Sequence, residues 1–196
     1  MATQSDVVWR QGWSILLRPL ERADAPVARK GINDPNVTTY LARYLPVGEK
    51  AEEDFINNPP NPMSGFALGI VRLEDKKLIG TMGFHDIHWT NRTAITGTMI
   101  WEQECWGKGY ATEAKMLLLD VAFNTMDLFA VQSRVFAPNG ASLKYAQKCG
   151  YREVARIPEW ARMKDGSRAD EVILLVTQEE WRPLWQRYVA QRGERK

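Results

Sequence analysis

The sequence predicts an α/β (α+β) fold on a mixed, mostly antiparallel central sheet, and three observations carry that expectation. Strand-like runs at 66–73, 78–89 and 94–101 are joined by short polar turns, Glu74-Asp75-Lys76-Lys77 and Thr90-Asn91-Arg92. Short links of this kind make antiparallel neighbours. The third run feeds a glycine loop and then a long helix, in which apolar residues recur at Ala114, Leu117, Leu118, Val121 and Ala122 with helical spacing. A further strand at 130–136 alternates Val131, Ser133 and Val135. Strand, helix and strand with a crossover of that length imply one parallel pair.

Bulk properties narrow the function classes. The 196 residues fit one domain spanning 1–196, with a core at about 14–181. With 26 basic and 24 acidic residues the net charge is +2, which gives no electrostatic case for nucleic acid or an anionic membrane. Cys105 and Cys149 are far apart, and with two histidines they form neither a disulfide framework nor a zinc motif; no metal is expected. No apolar run approaches the ~18 residues of a membrane span. The first ten residues are too polar for a signal peptide, so a cytoplasmic protein is expected.

The remaining elements follow in order. Residues 13–20 read as a first strand stopped by Pro19, with Ile15 and Leu17 on one face. Asp24 suits an N-cap and Pro26 the first turn of a helix running to about Asn33. Asp34-Pro35-Asn36 is a turn. Residues 49–57 form a short acidic helix. It is ended by a stretch with Pro59, Pro60 and Pro62, read as a solvated connector or a lid. Residues 151–161 and 169–177 form a final strand pair around Asp165-Gly166, a hairpin signal. Thr177 and Glu180 match a capping box, but Pro183 is expected to delay the helix to about 181–183, with Trp181, Trp185 and Tyr188 along one face. The tail from Gln191 is expected to be mobile.

Two motifs carry chemistry. Gly107 and Gly109 can form a tight connection and nothing more. They also open a helix, where unpaired N–H groups and the helix dipole favour phosphate. A dinucleotide reading is weaker, because Thr112 stands where the third glycine of such a loop belongs. Asn139 and Gly150 suit the N-cap and C-terminal glycine of a second helix. Trp106-Gly107-Lys108-Gly109-Tyr110-Ala111-Thr112-Glu113-Ala114 is similar to the pyrophosphate loop of the GNAT acetyltransferase superfamily, nearest to its RimJ/RimL-like branch. Glu104 stands where the superfamily has Gln or Arg. Asn139, Ser142 and Lys148-Cys149-Gly150-Tyr151 resemble the family's second signature, with Tyr151 in place of Phe. The resemblance spans about 14–181.

That resemblance implies the GNAT fold, with helices on both faces and the fourth and fifth strands splayed apart. It implies acetyl-CoA as co-substrate. Its diphosphate would lie on Cys105, Trp106, Gly107, Lys108, Gly109, Tyr110, Ala111 and Thr112. Its pantetheine would run beside Met99, Ile100 and Trp101, with Asn139 and Ser142 nearby. Proteins of this family often form homodimers.

Acetyl transfer to an amine needs a donor to the thioester oxygen, expected from a backbone N–H around Ile100 or Trp101. It needs a base: Glu102, Glu104 or Glu159, with His85 and His88 behind them. Glu159 precedes Trp160 where RimL-like proteins carry a Glu-Tyr pair. His85 and His88, three apart on a strand, are expected to face opposite sides. The family's tyrosine donor position holds Ala146. Tyr145 is turned from it by about 100° and is read as core packing, leaving Ser142 as the donor candidate. Most of the eight tryptophans are read as core or dimer interface, with Trp101 and Trp160 closest to an acceptor. The expected function is N-acetyl transfer by direct attack of a primary amine, from a protein N-terminus or a small molecule. The alternative is a non-catalytic acyl-CoA-binding sensor or interaction module.

Overall fold

The computed structural model describes residues 7–58 and 61–193. Its strands are β1 (Arg10–Gln11), β2 (Ile15–Pro19), β3 (Phe66–Arg72), β4 (Leu78–His88), β5 (Thr93–Ile100), β6 (Ala130–Phe136), β7 (Arg152–Arg162) and β8 (Arg168–Thr177). Its helices are α1 (Ala25–Ile32), α2 (Glu49–Asn57), α3 (Tyr110–Asn124), α4 (Gly140–Lys148) and α5 (Gln178–Ala190). The strands form one sheet in the order β1-β2-β3-β4-β5-β6-β8-β7. The β5/β6 pair is parallel, and all other neighbours are antiparallel.

The sheet is covered on both sides, which the alternation in β2 records. Ile15 and Leu17 join the large core with Leu117, Leu118 and Phe123 of α3 and Trp181 of α5. Leu16 points the other way, into a smaller core with Ala28, Val71, Leu78 and Trp101, under α1. Helix α2 packs beside α1.

Three expectations are corrected. Asp86 takes φ 51° in a register shift between His85 and His88. The bulge changes the strand's phase, so Phe84 and Ile87 both enter the core and His85 and His88 are both exposed on the same outer side. Helix α5 starts at Gln178 with its capping box formed and Pro183 inside it. Burial of Trp181 beside Phe123, at 5.3 Å between ring centroids, holds the first turns despite the missing proline N–H. The Asp24 side chain does not cap α1; both its oxygens bind Arg18, at 2.7 and 2.8 Å, as a buried bidentate pair. At the C-terminal end, Arg192 lies 3.7 Å from the Tyr188 ring centre, and Trp13 Nε1 donates to Gly193 O at 3.1 Å. The connector or lid expected around Pro59 and Pro60 includes two residues outside the described ones.

Two charged residues of α3 are buried. Glu113 Oε1 accepts from the backbone N–H groups of Trp13, Ser14 and Ile15, at 2.6, 2.9 and 3.2 Å, and Oε2 accepts from Ser14 Oγ. One carboxylate thus satisfies the turn between β1 and β2. A Cβ on Gly12 would lie 2.2 Å from that carboxylate, so only glycine fits there. Lys115 has no exposed surface and donates to Thr96 Oγ1 at 2.7 Å. Burial pushes its ammonium down to about 8 from 10.5.

Both charges bear on stability. Glu113→Ala strands three backbone donors and should lower the unfolding free energy in urea by about 2–4 kcal/mol, well beyond the ~1 kcal/mol of Thr177→Ala at the α5 cap. Lys115→Met removes a charge that folding desolvates. Between pH 8 and 10.5 the unfolded chain holds the Lys115 proton more tightly, so native stability rises with pH through this group. Lys115→Met should therefore be the more stable protein at pH 7, by up to about 3 kcal/mol, with the gain shrinking above about pH 8. Melting the pair across that range checks it.

Candidate active site

The site begins where a ladder stops. β5 and β6 pair only at Thr93/Ala130, Ala94/Val131 and Ile95/Gln132. From Thr96 onward β5 has β4 on one side and no strand on the other. Backbone groups along such an edge need a partner, and an extended ligand can supply one.

The glycine loop lies at the far end of that edge. After β5 a 3-10 turn, Gln103–Cys105, leads to Trp106. Trp106 Nε1 donates to Ile100 O at 2.9 Å and pins the loop to the strand end. Gly107 and Gly109 take φ of 75° and 89°, a region that glycine enters freely. A Cβ on either would meet no protein atom within 4 Å. Gly109 is the N-cap of α3, and no side chain caps the helix. Its first N–H groups are thus left for an anion at the positive end of the dipole. Lys108 is exposed, whereas Tyr110, Ala111 and Thr112 are half-buried on the first turn. These features fit the diphosphate of acetyl-CoA.

The loop is anchored by charge. Arg72 binds Asp75 at 2.6 Å and Glu104 at 3.1 Å, and its Nη1 lies 3.3 Å from the sulfur of buried Cys105. Lys77 binds Glu102 at 2.6 Å. Glu102 and Glu104, expected as bases, are therefore held in ion pairs with the β3–β4 hairpin. Glu159 is elsewhere, exposed in an irregular stretch of β7 between Ile157 and Ala161. Its φ is 52°, and its N–H donates to Asp170 Oδ1 at 3.1 Å. Trp160 beside it is 61% exposed.

The three residues expected along pantetheine separate. Met99 and Ile100 are half-buried on the β5 edge strand. Trp101 is buried under α1, its ring against Gly31. Trp101 N–H donates to Ile79 O at 3.0 Å, so it is already used in the sheet.

Helix α4 approaches the opening from the other side. Asn139 Oδ1 accepts from Ser142 N at 3.1 Å, so Asn139 caps α4. Ser142 is half-buried on the first turn, and Ala146 is buried in the core. Burial pushes the Tyr145 hydroxyl up to about 12, while the side chains of Thr98 and Ser142 pull it the other way. Thr98 Oγ1 is buried and faces the Tyr145 hydroxyl. At the apex, Thr96 Oγ1 lies 3.1 Å from the Tyr151 hydroxyl and 3.2 Å from Gln132 O. Sequence reading singled out none of Thr96, Thr98, Glu113 and Lys115. For Lys115 a signal existed: it precedes Leu118 by three residues and Ala122 by seven, on the buried stripe of α3.

A second cleft, of about 380 Å³, lies at the opposite end of β3, lined by Trp9, Leu20, Phe55, Ile56, Phe66 and Leu68. Among the described residues no group of three or more His, Cys, Asp or Glu is placed to hold a metal, and no helix is long and apolar enough to cross a membrane.

Known proteins share this arrangement. The family model described as the Acetyltransferase (GNAT) domain matches residues 14–152. The protein named Probable N-acetyltransferase YjcK, of Bacillus subtilis (strain 168), is 32% identical over 152 residues, covering 73% of this chain and 83% of its own. The protein named Uncharacterized N-acetyltransferase p20, of Bacillus licheniformis, is 27% identical over 153 residues, covering 76% of this chain and 85% of its own. The structure of a spermidine N-acetyltransferase from Vibrio cholerae, in complex with CoA and spermine, superposes with a TM-score of 0.78 at 22% identity, covering 86% of this chain and 98% of that one. At that identity the likeness concerns the fold. The sheet with its parallel β5/β6 pair is the GNAT fold, and the chain belongs to the GNAT family of acetyl-CoA-dependent N-acetyltransferases.

Proposed function

We propose that this chain, as one catalytic domain of the RimJ/RimL-like kind, transfers the acetyl group of acetyl-CoA to a primary amine by direct attack. The acceptor is a protein N-terminus or a small-molecule amine. The observation that carries the reading is the uncapped start of α3, with its two open glycines, at the end of the unpaired β5 edge. Main-chain amides of Gly107 to Thr112 hold the diphosphate, and Met99, Ile100, Asn139 and Ser142 flank the rest of the donor. Holding both reactants in line supplies much of the acceleration, about 7–11 kcal/mol at best.

Glu159 is assigned the base. Of the three glutamates considered, it is the one outside an ion pair among the described residues. Its left-handed backbone costs on the order of 1 kcal/mol, a kind of strain that collects at functional sites. Ser142, half-buried and so reachable from solvent, passes a proton to the leaving thiolate.

Thiol release from acetyl-CoA over a panel of amines and N-terminal peptides tests the activity. Tight binding of acetyl-CoA with no release on any acceptor would mark a sensor instead. Gly109→Trp should abolish CoA binding in calorimetry while the circular dichroism spectrum is retained: the added Cβ meets no protein atom within 4 Å, and the left-handed φ of 89° adds strain of about 1–3 kcal/mol, too little to unfold a domain. For the proton steps, Glu159→Gln should lower kcat by about 10²-fold, and Ser142→Ala should lower it more than Tyr145→Phe. An unchanged kcat removes Glu159 from the mechanism, and the reverse order makes Tyr145 the donor.

A further inference from the structure

The opening between β5 and β6 contains a charge that acetyl transfer, as described so far, does not use. Lys115 reaches from α3 to Thr96, the first residue beyond the last paired row. Its ammonium lies 6.0 Å from the Tyr145 ring centre and 5.8 Å from that of Tyr151. The groups around it are Thr96 from β5, Tyr145 and Cys149 from α4 and its end, and Tyr151 just before β7. None is a carboxylate, and no ion pair to Lys115 occurs among the described residues. An ammonium buried without a counter-ion is costly. Methionine would fill the same space without that cost. One row along the same face of β5, Thr98 Oγ1 is buried beside the Tyr145 hydroxyl.

Acetyl transfer generates the missing anion. The amine nitrogen attacks the thioester carbon, and the C–S bond breaks with its electron pair going to sulfur. The extra proton on nitrogen goes to the base, leaving an amide and a CoA thiolate. That thiolate takes a proton through Ser142 to give the free thiol.

We propose that Lys115, at the apex of the β5/β6 opening, is the electrostatic positioning residue that stabilises the departing CoA thiolate. The inference rests on the acetyl-transfer reading above. A buried charge acts strongly on an anion formed beside it because little water screens it. Thr96 holds the ammonium at the apex, and the sulfur supplies the counter-charge that the folded protein lacks. Lys115 is charged below about 8 and neutral above it. The surrounding groups do not titrate there: burial pushes Tyr145 and Cys149 up to about 12, and Tyr151 well above its ordinary value. The Lys148 ammonium also faces Cys149.

The test uses the full chain, its Lys115→Met variant and CoA. Ultraviolet titration of the bound thiol, with the desulfo-CoA complex subtracted, gives the thiol pKa in each protein. It should lie at least about one unit lower in the parent, with kcat at least about tenfold higher. KM for acetyl-CoA should stay within about twofold, the pattern of an interaction made in the transition state. The parent-to-variant kcat ratio should fall as pH rises through about 8, and Lys115→Arg should restore part of the thiol shift. A purely structural lysine would give equal thiol pKa values in parent and Lys115→Met, and that result overturns the inference while leaving acetyl transfer intact. Failure of the parent to bind CoA overturns both.

Discussion

The early end of the β5/β6 ladder is the constraint on which the site depends. Parallel strands normally pair along their length, yet these two part after Ile95 and Gln132. Packing at the apex keeps them apart. Lys115 from α3, Tyr151 and Thr96 meet there, and Tyr145 of α4 lies beside them. Side chains from separate elements occupy the angle, so the strands cannot close on each other. The unpaired edge of β5 then leads, through the 3-10 turn at Gln103–Cys105, into the glycine loop and the start of α3. The open strand edge and the uncapped helix start thereby lie on one short stretch of chain.

Rigidity of the loop comes from partners distant in sequence. Arg72 and Lys77, at the end of β3 and just before β4, bind Glu104 and Glu102, and Trp106 is fastened to Ile100. Single exposed ion pairs contribute little. This set shares residues and brackets a turn that must present its amides in one direction, so its worth is in orientation. The same pairing sets two of the three candidate bases apart from Glu159, because their carboxylate oxygens are already engaged by Arg72 and Lys77.

Two features work against stability. Lys115 is desolvated without a counter-ion, and Glu159 adopts a backbone conformation that disfavours a side chain. Lys115 lies at the apex of the β5/β6 opening, and Glu159 in the exposed irregular stretch of β7. Glu113 works in the opposite direction. A buried carboxylate that accepts from three backbone N–H groups and a hydroxyl joins α3 to the N-terminal strands, and so steadies the helix that the glycine loop opens.

The sequence alone determined what depends on neighbours within a few residues. The strand alternation of 130–136, the stripe along α3, the Asn139 cap and the left-handed glycines 107 and 109 are local, because backbone geometry and side-chain period are set within a turn or a pleat. The GNAT resemblance rested on the same short segments, and they carry the fold and the diphosphate loop. Tertiary structure decided the rest. The bulge at Asp86 turned His85 and His88 to one side, packing of Trp181 carried α5 past Pro183, and Lys77 claimed Glu102. Ser14 and Glu113 are 99 residues apart, and Thr96 and Tyr151 are 55 apart. No periodicity in the chain specifies such a partner, since which buried polar group meets which is settled only when distant elements pack together.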